Sequence, residues 1–115
     1  MVENPVRAKS YEFALQIIEL HRELVRPREY VLSRQLVRAG TSIGANVEES
    51  LAGQSRRDFL AKMPIASGEA RECHYWLRLI RDSRLLPSHT VQPHLTACDE
   101  LIRLLTSIVK TTAET

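Results

Sequence analysis

Apolar residues recur at alternating spacings of four and three along four stretches of this chain, the period of an α-helix with one buried stripe. The first stretch carries Phe13, Ile17, Leu20 and Leu24. The second carries Leu32, Leu36, Ala39, Ile43 and Val47. The third, Phe59, Met63, Ala66, Ala70, Cys73, Leu77 and Ile80, is the unbroken seam of a bundle helix. The fourth carries Val91, Leu95, Cys98, Ile102, Leu105 and Val109. Asn4 followed by Pro5 is a strong helix start. Pro27 is expected to stop the first helix. Gly53 reads as a C′ glycine ending the second, and Ser55 with Asp58 as a capping box opening the third. Ser88 or Thr90 caps the fourth, and Pro93 favours the later cap because proline fits only the first turn. The expected helices are 5–26, 28–52, 56–83 and 88–111, in a single domain spanning 1–115, with a fraying tail. The connections between them are short, so neighbours run antiparallel. The predicted fold is all-α, an up-down four-helix bundle.

Several residues do not fit one stripe per helix. Gly40 and Gly44 each cost about 1 kcal/mol against alanine inside a helix. Either another helix crosses closely there, or the backbone itself is used, or the helix bends. Ser42 and Asn46 lie beside the stripe of the same helix, and buried polar groups must be paired. Glu69 and Glu72 on the next helix are their expected partners, in one structural polar network. Pro64 should kink the third helix or mark a late start. Trp76 and Leu79, with Tyr75 at the edge, point away from the seam, and Leu104 and Ile108 belong to a second stripe on the last helix. These are candidate subunit-interface residues, aromatic and aliphatic like the centre of an interface, unless long side chains of the same chain cover them. The bundle is therefore expected to assemble as a homo-oligomer.

Composition changes this picture little. The chain has 115 residues, 43% hydrophobic and 26% charged, with a net charge of +2. A chain of this size buries roughly 65% of its unfolded surface, enough for a core without disulfide or metal. Cys73 and Cys98 fall on apolar stripes and read as core residues of a reducing compartment. The opening residues, with Glu3, Arg7, Lys9 and Glu12, have no signal-peptide run, and no stretch is apolar enough to span a membrane. A cytoplasmic location is expected. The four histidines, His21, His74, His89 and His94, form no metal-ligand pattern, and no Glu-x-x-His pair supports a di-metal bundle. No nucleophile–base set or glycine loop is visible either, so the expectation is a protein that is not an enzyme and has no cofactor. The basic residues carry the only other signal. Arg71, Arg78 and Arg81 share one side of the third helix with His74, Arg34 and Arg38 share the outer face of the second, and Arg22, Arg26 and Arg28 cluster at the first turn. They are either a solvated face paired with Glu23, Glu48, Glu49 and Asp82, or a phosphate-binding surface, for which the guanidinium fork is well shaped. No aromatic stacking platform accompanies them, which disfavours sequence-specific RNA reading.

The segments RQLVRAGTSIGANVEESLAG, DFLAKMPIASGEARECHYWLRLI and DELIRLLTSIVK together resemble the small bacterial four-helix bundle proteins first described as 23S rRNA-intervening-sequence proteins. The resemblance runs from about Tyr11 to Lys110 and is carried by Gln35, Arg38, Ser42, Asn46, Glu49, Glu69, Glu72 and the run Tyr75-Trp76-Leu77. The chain departs from that pattern at Glu48, Ser50 and Pro64. The resemblance implies a homopentamer without enzymatic activity. A similar bundle, the accessory variability determinant of diversity-generating retroelements, works with a reverse transcriptase and binds nucleic acid through a basic surface. The expected partners are thus other copies of the chain, RNA or DNA, and a protein such as a reverse transcriptase or a ribosomal component. The expected role is a non-enzymatic scaffold binding nucleic acid without sequence preference through Arg-rich surfaces. The alternative is a protein–protein interaction module with no nucleic-acid affinity.

Overall fold

The computed structural model describes residues 4–26, 28–53 and 55–113. Four α-helices account for nearly all of them: α1 (Pro5–Val25), α2 (Tyr30–Ala52), α3 (Arg56–Asp82) and α4 (Ser88–Ala113). Each of α1 and α3 packs against both α2 and α4, while α1 and α3 do not touch, so these two stand at opposite corners of the bundle. The stripe residues Phe13, Ile17, Leu36, Ile43, Met63, Leu77, Val91 and Leu105 meet in one fully buried core. Burying each such side chain contributes about 1.5–3 kcal/mol.

The seam between α1 and α2 explains the paired glycines. A Cβ on Gly40 would lie 2.7 Å from Cγ2 of Ile17, and one on Gly44 would lie 3.3 Å from the carbonyl oxygen of Ser10. The two helices therefore approach too closely for side chains at these positions. Serines complete the seam. Ser10 and Ser33 are buried, and their hydroxyls donate to the carbonyls of Arg7 and Tyr30, each at 3.2 Å and each in the serine's own helix. No hydroxyl is left stranded.

The helix ends depart from expectation at several points. The expected stop at Pro27 lies outside the described residues. Beside it, α2 starts two residues later than its pattern suggested, at Tyr30, where the Glu29 carboxylate accepts from the Leu32 N–H at 3.1 Å. Gly53 is extended rather than left-handed, with φ −61° and ψ 148°. Its requirement is space, because a Cβ there would sit 2.7 Å from Cβ of Asp58. The Ser55 cap forms as expected, its hydroxyl accepting from the Asp58 N–H at 3.2 Å. Pro64 does not delay α3, which runs through it on the exposed side, where water satisfies the carbonyl that proline cannot reach. The fourth helix starts at Ser88, not at the later cap. The Thr90 and Val91 N–H groups already close the first turn on the Pro87 carbonyl, at 2.9 and 3.3 Å. Pro93 then leaves unbonded only the exposed carbonyl of His89.

Two helices end on an arginine in the left-handed region, Arg28 and Arg84, each with φ 63°. The Glu29 N–H donates to the Leu24 carbonyl and the Leu85 N–H to the Ile80 carbonyl, while Arg28 and Arg84 donate to Val25 and Arg81. This is the Schellman arrangement, with arginine where glycine is the common choice.

Candidate nucleic-acid interface

The expected polar network is two separate groups. Asn46 donates to the Ser42 carbonyl at 2.9 Å and to the Ser42 hydroxyl at 3.2 Å, both inside α2. Glu69 and Glu72 instead take Arg38, and Asn46 is only half-buried, so it needs no partner across the seam. Arg38 reaches Glu69 at 3.1 Å with one guanidinium nitrogen and Glu72 with the other. The Trp76 indole N–H donates to the same Glu72 carboxylate at 3.2 Å. The hydrogen bond to Glu72, with the charge of Glu69 behind it, raises the pKa of Arg38 above its ordinary value. The Arg38 bond, helped by Trp76 and opposed by partial desolvation, depresses that of Glu72. This cluster cross-links α2 to α3.

The candidate phosphate-binding arginines are divided in the same way. Arg38 is committed to the carboxylates just described. Arg71 donates to the Thr106 hydroxyl of α4 at 2.9 Å. Arg81 is held by Asp82 at 2.8 Å and reaches Gln92 at 3.4 Å; Asp82 raises its pKa, and Arg81 lowers that of Asp82. Arg78 lies over the Tyr75 ring, 5.7 Å from its centre. Arg34 is exposed and has no ion-pair partner among the described residues. It lines an open cleft of about 390 Å³ between α1 and α2, with His21, Val25, Tyr30, Ser33 and Val37. His21 contributes a buried Nδ1 without a hydrogen-bond partner. Of the anticipated carboxylate partners, Glu23 holds Arg26, but Glu48 takes Arg7 and Glu49 takes Lys62.

Arg22, Arg28 and Arg84 were not singled out as a group with Arg34, yet all four are exposed and none has an ion-pair partner among the described residues. Arg22 and Arg28 are at the first turn as their clustering suggested, whereas spacing along the chain carried no signal for Arg84.

The candidate interface residues also separate. Tyr75 and Leu79 are exposed. Trp76, Leu104 and Ile108 are half-buried against the bundle's own core, and the Trp76 ring meets Tyr75 edge-on at 5.4 Å. Cys73 and Cys98 are free and buried; the Cys98 thiol donates to the Ala70 carbonyl at 3.3 Å. The bond shared with Cys98, then burial, pushes the Cys73 thiol well above its usual range, away from the reactive thiolate. No group of three or more metal-ligating side chains occurs among the described residues. Nor is any helix there long and apolar enough to cross a membrane.

These features define a four-helix bundle with a buried apolar core, an ionic α2–α3 cross-link and, near its turns, arginines without an ion-pair partner among the described residues. The family model of the 23S rRNA-intervening sequence protein matches residues 3–107, and the chain belongs to that family. A solved structure from Bacteroides thetaiotaomicron, a protein of unknown function from the S23 ribosomal protein family, is similar. It is 42% identical with a TM-score of 0.87, covering 91% of this chain and 98% of that one. No curated protein matches the chain.

Proposed function

We propose that this protein is a non-enzymatic, self-assembling scaffold, pentameric as the family resemblance implies, that holds nucleic acid on an arginine-rich end of the bundle. An antiparallel up-down order is supported by the cross-helix pairs. Arg56 reaches Thr112 and Arg81 reaches Gln92, while Arg7 meets Glu48 and Lys62 meets Glu49. In that order the α1–α2 and α3–α4 turns share one end. The observation that carries the reading is the set of exposed, unpaired arginines there, Arg22, Arg28, Arg34 and Arg84. Arg81 and the His21 cleft flank them. A net charge of +2 per chain is weak alone, but charge concentrated at one end adds across subunits that share an orientation. Phosphate contacts of this kind give salt-dependent, sequence-tolerant binding.

The test is retention of a mixed RNA and DNA pool at low and high salt by the parent chain and by a variant with Arg22, Arg28, Arg34 and Arg84 all changed to Glu. The expected result is retention by the parent at low salt only, and loss in the variant with helix content unchanged. Equal retention by both would overturn this surface. A second reading, a protein-binding module, is favoured by Tyr30 and Val31, exposed apolar residues beside Arg34. A parent chain that never retains nucleic acid would select it.

A further inference from the structure

The outer faces of α1 and α3 match each other in a way that one chain cannot use. The outward face of α3 carries Ile65, Tyr75 and Leu79, exposed by 46%, 48% and 36%. Between Ile65 and Tyr75 lies Gly68, with no atom within 4 Å of where a Cβ would stand. The outward face of α1 carries Tyr11 and Leu15, exposed by 63% and 52%. Both faces thus present a Tyr followed four residues later by a Leu.

The flanking charges are opposite and equally spaced. Arg71 and Arg78 run beside the α3 strip, seven residues apart; Glu12 and Glu19 run beside the α1 strip, also seven apart. All four are exposed. Glu12 and Glu19 form no ion pair among the described residues, and neither Arg71 nor Arg78 has a carboxylate within ion-pair distance there, although Asp82 lies close enough to Arg78 to feel its charge. Seven residues is the coiled-coil repeat, in which flanking charges of two helices pair across an apolar seam. Place two such helices parallel with Tyr75 level with Tyr11. Leu79 then falls level with Leu15, and Arg71 and Arg78 each stand five residues ahead of Glu12 and Glu19. That offset is the one at which flanking positions meet across a parallel pair. In the same register Gly68 falls level with Asn4, so its bare surface faces the N-terminal end of the neighbour's α1.

We infer that α3 of one copy docks in parallel on α1 of a second copy, through Tyr75 and Leu79 against Tyr11 and Leu15, with Arg71 and Arg78 paired to Glu12 and Glu19. The inference deepens the self-assembly in the proposed function and rests on it. Because α1 and α3 occupy opposite corners, the contact is head-to-tail: each copy uses two different surfaces, and repetition makes a ring or a chain of subunits rather than a two-fold dimer. It also assigns Arg71 and Arg78 to the subunit contact, leaving the turn-end arginines for phosphate.

The test uses two single variants of the full chain, Leu15→Arg and Leu79→Arg, and light-scattering mass. Both sites are exposed, and circular dichroism checks the fold. The parent should be oligomeric and each variant alone monomeric. An equimolar mixture should give a species of twice the monomer mass and nothing larger, since one intact face of each kind remains. A second set, Glu12→Arg/Glu19→Arg and Arg71→Glu/Arg78→Glu, should each lose assembly, and the chain carrying all four changes should regain it. If either leucine variant keeps the parental mass, or the mixture stays monomeric, the contact is wrong while the assembly itself stands. A monomeric parent would overturn both.

Discussion

Gly40 and Gly68 occupy mid-helix positions of the same intrinsic cost, in opposite surroundings. Gly40 is buried, and the side chain it lacks would strike Ile17 at 2.7 Å. Gly68 is exposed, and the side chain it lacks would strike nothing. The first glycine is explained within one chain by the close crossing of α1 and α2. The second is not, and it lies on the outward face of α3 between Ile65 and Glu72, on the same face as Tyr75 and Leu79. Glycine thus marks a close approach that is filled at one site and empty at the other, and the empty one is where a neighbour is expected.

The largest effect should come from filling the crowded site. Ile17 is β-branched, so its methyl groups cannot swing away from a new Cβ. Gly40→Ala should destabilise by about 1–3 kcal/mol, the overpacking cost outweighing alanine's better helix propensity. Urea unfolding measures it; an unchanged midpoint would mean that the α1–α2 seam is looser than the contact distances state.

Filling the open site should do the reverse. Gly68→Ala should stabilise the isolated chain by about 1 kcal/mol, because helix propensity acts there unopposed. Measured in the Leu79→Arg background, the gain should appear as a raised unfolding midpoint. In the otherwise unchanged chain the same substitution should weaken assembly, because the start of the neighbour's α1 around Asn4 would meet the new methyl. A variant stabilised in both settings would mean that Gly68 is simply a poor helix residue.

Arg84 sharpens the comparison from the other side, as a place where glycine would be easy and is absent. A non-glycine residue with φ near 60° costs about 1–2 kcal/mol, part of which glycine loses again through its more flexible unfolded chain. Arg84→Gly should therefore stabilise by about 0.5–1 kcal/mol and weaken nucleic-acid retention. Strain kept beside an unpaired charge is what a functional residue shows. A gain in stability with retention unaltered would remove Arg84 from the proposed surface.

The sequence was informative where period decides and silent where the level of helix pairing decides. All six residues from Met63 to Ile80 on the α3 seam are buried, and Leu36, Ala39, Ile43 and Val47 are buried as their spacing predicted. One stripe per helix is enough to read a core. The close crossing at Gly40 and Gly44 was one of the readings open from composition alone, and the contact distances select it. The partner of Glu69 and Glu72 was not legible. It depends on the level at which α2 and α3 pair: Lys62 meets Glu49 and Arg38 meets Glu69 and Glu72, which leaves Asn46 about two turns away from those carboxylates. The expected range of the fourth helix opened at 88, as α4 does, but Pro93 pointed to a later cap, because a proline signals a boundary only if its lost hydrogen bond matters, and at an exposed first turn it does not. Arg22 and Arg28 were legible as neighbours at the first turn, but Arg84, more than 50 residues further on, could not be joined to them from spacing along the chain.

The smallest expected effect concerns the cross-link between α2 and α3. Glu72 has a depressed pKa in the folded chain, chiefly from its hydrogen bond with Arg38. A depressed carboxylate stabilises the fold above its unfolded pKa of about 4.3, and that contribution is lost as pH falls through the lower folded value. Over a third of the Glu72 side chain is open to solvent, so screening keeps the contribution to about 0.5 kcal/mol or less. Glu72→Gln should leave the core intact and flatten the fall of the urea midpoint below about pH 4.3. The Trp76 indole reports the same event independently, since its N–H donates to that carboxylate. A Trp76 emission change in the parent over this pH window, absent in Glu72→Gln, ties the titration to this cluster. Identical acid profiles for the two chains would show that Arg38 and Glu69 hold α2 to α3 without it. The buried α1–α2 seam would then contrast with an α2–α3 contact whose ionic groups orient the helices and add nothing measurable to their stability.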